Sequence, residues 1–164
     1  MVAERVWLRD AFIDSSVILS ALIDFGAGSA AALEVFHAIA SGRDGPPKTA
    51  WHCCLEVYSV ATRLPEEFRL KPLDAVKLIE CELLARFDVL ELPPSGRLAF
   101  LTQCGREGVR GGRLYDAHIA AVARASNAKV VVTENRRDFI GLEREGIRVV
   151  GAAEAIGVIA RRRK

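Results

Sequence analysis

The feature that most constrains this chain is the alternation of short apolar runs with segments of helical period. Apolar residues cluster near positions 11–14, 48–50, 88–91, 129–133 and 147–150, each run bounded by turn residues. Between them, 17–25, 28–41, 51–63, 72–86, 96–106 and 114–126 carry a helical period, with a short terminal helix after Gly151. Strands separated by helices join as parallel neighbours, so the pattern predicts an α/β fold whose parallel sheet is covered by helices. The stretches RDGPP at 43–47 and PPSG at 93–96 read as loops from their Pro and Gly content. No repeat or linker divides the chain, and residues 1–164 are expected to form one domain.

A chain of 164 residues can bury about two-thirds of its unfolded surface, so it needs neither metal nor disulfide merely to fold. Its four cysteines, Cys53, Cys54, Cys81 and Cys104, lie in apolar helical contexts without a C-x-x-C pair, which argues for reduced core thiols and against a zinc site. No apolar run approaches the roughly 20 residues needed to span a bilayer, and no leader pattern is visible. A cytoplasmic protein with no membrane partner is expected.

Twenty-three basic against 21 acidic residues leave a net charge of +2, which by itself predicts no nucleic-acid partner. The distribution is more informative. Arginines gather at Arg106, Arg110 and Arg113, at Arg136 and Arg137, and in the tail Arg161, Arg162, Arg163 and Lys164. Such runs are commonly solvated surface, but the first two flank acidic positions of interest.

Four acids stand where chemistry can be done. Asp14, in AFIDSSVILSALID, ends the first strand and precedes a helix; it suits both a helix cap and a ligand-binding residue at a strand end. Glu56 lies on or beside the apolar stripe of its helix, near Cys53, Val57 and Val60, where an unpaired charge is costly. Asp116 falls near the start of a helix, a place that the helix dipole favours. Asp138 follows the strand that ends at Thr133, in a polar turn with Asn135. His118 has no second histidine at helical spacing and reads as a packed or surface residue, and Glu134 as solvent-facing.

If these acids converge, two charges about 4 Å apart repel by about 4 kcal/mol at an effective dielectric near 20. A hard divalent cation removes that cost, and a set of carboxylates without a thiolate constellation suits Mg²⁺ or Mn²⁺ rather than Zn²⁺. Such an ion binds phosphate oxygens and acidifies water, the equipment of phosphodiester hydrolysis.

The segments FIDSSVIL, LEVYSVATRLP, YDAHIAAVA and VVTENRRDF together resemble PIN-domain proteins of the VapC toxin type, in family order over essentially the whole chain. The resemblance implies a three-layer α/β/α sandwich, Mg²⁺- or Mn²⁺-dependent endoribonuclease activity, a homodimer, and inhibition by a small antitoxin. It implies an acidic site of Asp14, Glu56, Asp116 and Asp138, with Ser15 or Ser16 and Thr133 as hydrogen-bonding neighbours. One departure is clear: family members often carry an acid two residues after the closing threonine, where this chain has Asn135. Arg110, Arg113, Arg136 and Arg137 are expected along the path of the RNA backbone.

Two other readings meet the same residues. Phosphoaspartyl hydrolases also place an aspartate after the first strand, but need a second one two residues on, where this chain has Ser16. A non-catalytic RNA-binding or scaffold protein of the same fold has no use for clustered negative charge facing a polyanion.

Overall fold

A computed structural model describes residues 8–23, 28–41 and 45–158. The end of the segment read as helix 17–25, the start of the loop 43–47 and the basic tail 161–164 lie outside the described residues. Five strands, β1 (Ala11–Ile13), β2 (Lys48–Ala50), β3 (Asp88–Leu90), β4 (Val130–Val132) and β5 (Arg148–Val150), form one sheet in the order β3-β2-β1-β4-β5. Every pairing is parallel. The strands fall where the apolar runs predict them, shortened by a residue or two at some ends. β1 and β4 are buried throughout, as expected of central strands with both faces covered.

Among the described residues, eight helices flank the sheet: α1 (Ser15–Leu22), α2 (Ser29–Ala40), α3 (Trp51–Ala61), α4 (Pro72–Ile79), α5 (Pro94–Arg106), α6 (Arg113–Ala125), α7 (Arg136–Phe139) and α8 (Ala152–Val158). The chain steps outward from β1 through β2 to β3, then returns across the sheet to β4 and continues to β5. Parallel crossovers are right-handed, so this reversal puts the connecting helices on opposite faces. α1 packs against both α2 and α3, α3 against α4 and α8 against α2, while α6 packs against both α5 and α7. The result is the three-layer sandwich.

Local chemistry sets the boundaries that differ from expectation. α1 begins two residues earlier than its period suggests, because Asp14 is extended and its side chain accepts from the Ser16 amide. PPSG is the first turn of α5 rather than a loop, with Pro94 at a position whose missing N–H costs nothing. The segment 72–86 is helical but passes from α into a π turn at Glu80–Leu84. Residues 136–139 form a single helical turn held by buried Phe139. Among the described residues no helix is long and apolar enough to cross a membrane.

The reversal between β1 and β4 makes a crevice at their carboxyl ends, where ligands of open α/β sheets bind. Thr49 stiffens its floor: its buried hydroxyl donates to the Ile13 carbonyl at 2.8 Å, tying β2 to the residue before Asp14. Thr49→Val keeps the shape and removes the donor, so it should lower unfolding free energy by about 1–2 kcal/mol. A urea titration checks this; an unchanged midpoint would show that the carbonyl does not need the bond.

Candidate active site

Asp14 lies at the crevice and is only 2% exposed. Its amide continues the sheet by donating to the Val132 carbonyl at 3.0 Å, and its own carbonyl accepts from Val17 and Ile18 as α1 begins. Its two carboxylate oxygens are served unequally. Oδ2 accepts from Ser16 Oγ at 2.7 Å, Thr133 Oγ1 at 2.8 Å and the Ser16 amide at 3.4 Å. Oδ1 has Ser15 Oγ at 3.4 Å, but that hydroxyl lies 2.5 Å from Glu56 Oε2, and its one proton goes to the nearer acceptor. Among the described residues, Oδ1 is therefore a buried anionic oxygen with little hydrogen bonding.

Glu56 reaches this point from α3, one turn beyond His52, whose Nε2 lies 3.6 Å from Glu56 Oε1. Arg63 lines the cavity in front of them. Ligand atoms of Asp14, Cys53 and Glu56 all lie within 4.8 Å of one another. Cys53 is fully buried, and desolvation, reinforced by the charge of Asp14, pushes its thiol well above the usual range. It stays protonated and is no thiolate donor. The available donors are carboxylate oxygens, the set a hard divalent ion takes.

Asp116 is brought in from the first turn of α6, whose entry depends on Gly111 at φ 58°. Burial first, then the charges of Asp138, Asp14 and Glu56, push its carboxyl up to about 6, with His52 opposing them. All four acids thus share one electrostatic environment. Asp116 and Asp138 also line one cavity of about 550 Å³ with Arg113 and Arg137. Asp138 is exposed and enters from α7, not from a free turn.

Ser16 and Thr133 fix the seam between α1 and β4. Their hydroxyls lie 3.3 Å apart and accept the amides of Glu134 and Asn135, respectively. Asn135 lines a second cavity of about 510 Å³ with Ser15, Ser16, Glu56, His52 and Tyr115. Arg110 is exposed and follows Val109, which lines the Asp116 cavity. Arg136 pairs with Glu154 at 3.1 Å and so is partly engaged at the start of α8. Glu134 is exposed as expected, yet it also caps α8 by accepting the Ala152 amide at 3.1 Å. His118 packs edge-on against Phe100 and His52, and burial lowers its pKa.

Sequence reasoning missed His52 and Tyr115, whose rings stack at 4.9 Å with 17° between planes. The spacing of His52, one turn before Glu56, was the available signal for the first. Tyr115 carried none beyond adjacency to Asp116.

An all-parallel sheet with acids gathered at its reversal point defines a doubly wound α/β domain with an acidic centre. Residues 11–144 match the PIN domain, and the chain belongs to that family. Ribonuclease VapC27 of Mycobacterium tuberculosis is 36% identical over 103 residues, 62% of this chain and 72% of that protein. Among solved structures, VapBC-1 from nontypeable Haemophilus influenzae aligns with TM-score 0.56 and 17% identity, covering 87% of this chain and 97% of that one. FitAB bound to an IR36 DNA fragment aligns with TM-score 0.60 and 14% identity, covering 87% and 95%. These two share the fold.

The raised Asp116 carboxyl has a pH signature. Its folded value of about 6 lies above the ordinary 3.8, so between about pH 4 and 6 the folded protein holds a proton that the unfolded chain has lost. Stability of the metal-free protein should fall as pH rises through that window, with the full deficit present above it. Asp116→Asn should raise the metal-free melting temperature above about pH 7, a gain that vanishes toward about pH 4. Melting curves in chelator across this range check it; a variant less stable at every pH would make Asp116 a structural partner.

Proposed function

We propose that this protein is a divalent-metal-dependent endoribonuclease that hydrolyses RNA phosphodiester bonds and acts as the toxin of a type II toxin–antitoxin pair. The observation that carries the reading is the buried, poorly bonded Oδ1 of Asp14 beside Glu56, in a cluster whose charge raises Asp116. Membership of the PIN family and the 36% identity to a protein named a ribonuclease support it.

The donor set fits Mg²⁺ or Mn²⁺: oxygen only, anionic, and otherwise self-repelling. Asp14 and Glu56 would hold the ion, with Asp116 completing its charge balance and Asp138 acting from the rim. When bound, such an ion supplies a Lewis acid toward a phosphate oxygen and acidifies water. The protein's own groups do the rest. Ser16 and Thr133 fix the Asp14 carboxylate, Ser15 fixes Glu56 against it, and Arg113 and Arg137 draw the backbone into the Asp116 cavity. Asn135 stands where relatives often have an acid and offers a neutral amide to the strand.

The family resemblance further supports a small antitoxin as inhibitor, a homodimer and a cytoplasmic site of action. Leu98 and Leu101 on α5 are exposed large apolar residues of the kind that a second copy would cover.

A metal titration of RNA cleavage tests the chemistry. Asp14→Asn and Asp116→Asn should abolish cleavage, whereas Asp138→Asn should keep measurable activity that rises with metal concentration. Products should carry 5′-phosphate and 3′-hydroxyl ends. Full activity in chelator, or 2′,3′-cyclic phosphate ends, would sink the metal-dependent mechanism.

The arginines give a separate prediction. Neutralising Arg113 and Arg137 together should weaken binding across unrelated RNA sequences and flatten the dependence of affinity on salt, by about one unit of log–log slope per lost phosphate contact. Arg136, already paired with Glu154, should contribute less. An unchanged slope in the double variant would return both residues to solvated surface.

A further inference from the structure

The cavity on the Glu56 side of the acids has an aromatic wall that the proposed chemistry does not use. Tyr115 stands in the first turn of α6 one residue before Asp116, lies with His52 at 4.9 Å and 17°, and remains 53% exposed. His52 is in turn held beside Glu56 at 3.6 Å and against His118 edge-on. The Tyr115 ring is therefore a supported, outward-facing plate attached to the acidic centre. The same cavity of about 510 Å³ is lined by Ser15, Ser16, Asn135 and Arg63.

We propose that Tyr115, backed by His52, is the stacking platform for a nucleobase of the RNA strand whose backbone lies on the acids, and so a substrate-positioning subsite. This rests on the nuclease reading above and adds to it the place where a base is held. A ring with one face on another ring and half its surface open can accept a planar base on its free face. Every nucleobase offers a π-face, so the subsite tolerates different sequences while fixing register. Asn135 and Ser16 supply hydrogen-bonding groups at the edge of the same cavity, and Arg63 a cation suited to the next phosphate. An apolar peptide is the less favoured occupant, because polar groups and a cation surround the ring.

The test uses the full chain and two fluorescein-labelled single-stranded RNA probes of equal length, one of oligouridine and one with abasic sites replacing its central bases. Binding is read by anisotropy in chelator, with RNA integrity checked on gels, and cleavage of an unmodified RNA is measured separately in Mg²⁺. Tyr115→Leu should weaken binding of the base-bearing probe by about tenfold and raise KM more than it lowers kcat. Tyr115→Phe should restore wild-type binding. On the abasic probe, wild type and Tyr115→Leu should bind alike. Melting temperatures of both variants near that of the wild type exclude a folding defect, as the exposure of Tyr115 leads one to expect.

Equal binding of the base-bearing probe by wild type and Tyr115→Leu, or an equal loss on both probes, overturns the stacking subsite. A wild type that cleaves no RNA in any divalent metal overturns the nuclease reading itself. Wild-type cleavage with unchanged KM in Tyr115→Leu overturns only the subsite.

Discussion

The carboxyl edge of this sheet depends on keeping one charged carboxylate, that of Asp14, inside the protein. Burying an unpaired carboxylate costs several kcal/mol, so it persists only with donors close by. Here they come from two distant parts of the chain: the Ser16 hydroxyl and amide at the start of α1, and the Thr133 hydroxyl at the end of β4. They meet because β1 and β4 are neighbours ending at one level, which in turn requires the chain to cross back over the sheet after β3. Topology is thus what makes an aspartate at this point tolerable, and the same reversal opens the crevice that gives it a purpose.

The remaining acids make that crevice electrostatically expensive. Glu56, Asp116 and Asp138 arrive from three different helices, and nothing in the packing of α3, α6 and α7 requires carboxylates there. Together with burial, the larger cause, their combined field raises the Asp116 carboxyl to about 6. A fold optimised for stability alone would neutralise one of them. Two neighbouring groups do not cancel that charge: His52 approaches Glu56 only through an interaction that requires it to be protonated, and Arg136 is occupied by Glu154. Such uncompensated charge is what the proposed divalent ion would neutralise on binding.

Much of this was legible in the residues. The β-branched run Val130–Val132 and the turn residues around each apolar segment located all five strands to within a residue or two, and hence the parallel order of the fold. Asp14, Thr133 and Asp116 were visible because strand ends and helix starts are recognisable locally. What stayed hidden was long-range. The Ser15–Glu56 bond joins residues 41 positions apart, and the stack of Tyr115 on His52 depends on how α3 and α6 lie against each other. No period or composition carries that information. The pairing of Arg136 with Glu154 and the second role of Glu134 as the cap of α8 were hidden for the same reason, since both depend on where α8 begins relative to β4.

The two oxygens of Asp14 are used differently, and the proposed ligation draws on the atom that capping leaves free. Oδ2 takes the Ser16 and Thr133 donors and performs the structural task of starting α1 and closing the β1–β4 seam. Oδ1 is withheld from that network, because the one hydroxyl within reach, Ser15, spends its proton on Glu56. Ser15 therefore does two things with a single hydrogen: it holds Glu56 against the cluster and keeps Asp14 Oδ1 short of a donor. An asparagine at this position could replace one function or the other by turning its amide, but never both, since its nitrogen can neither accept the seam bonds nor offer an anionic oxygen to a cation. On the proposed reading, the acid is fixed here by the simultaneous demand on both of its oxygens.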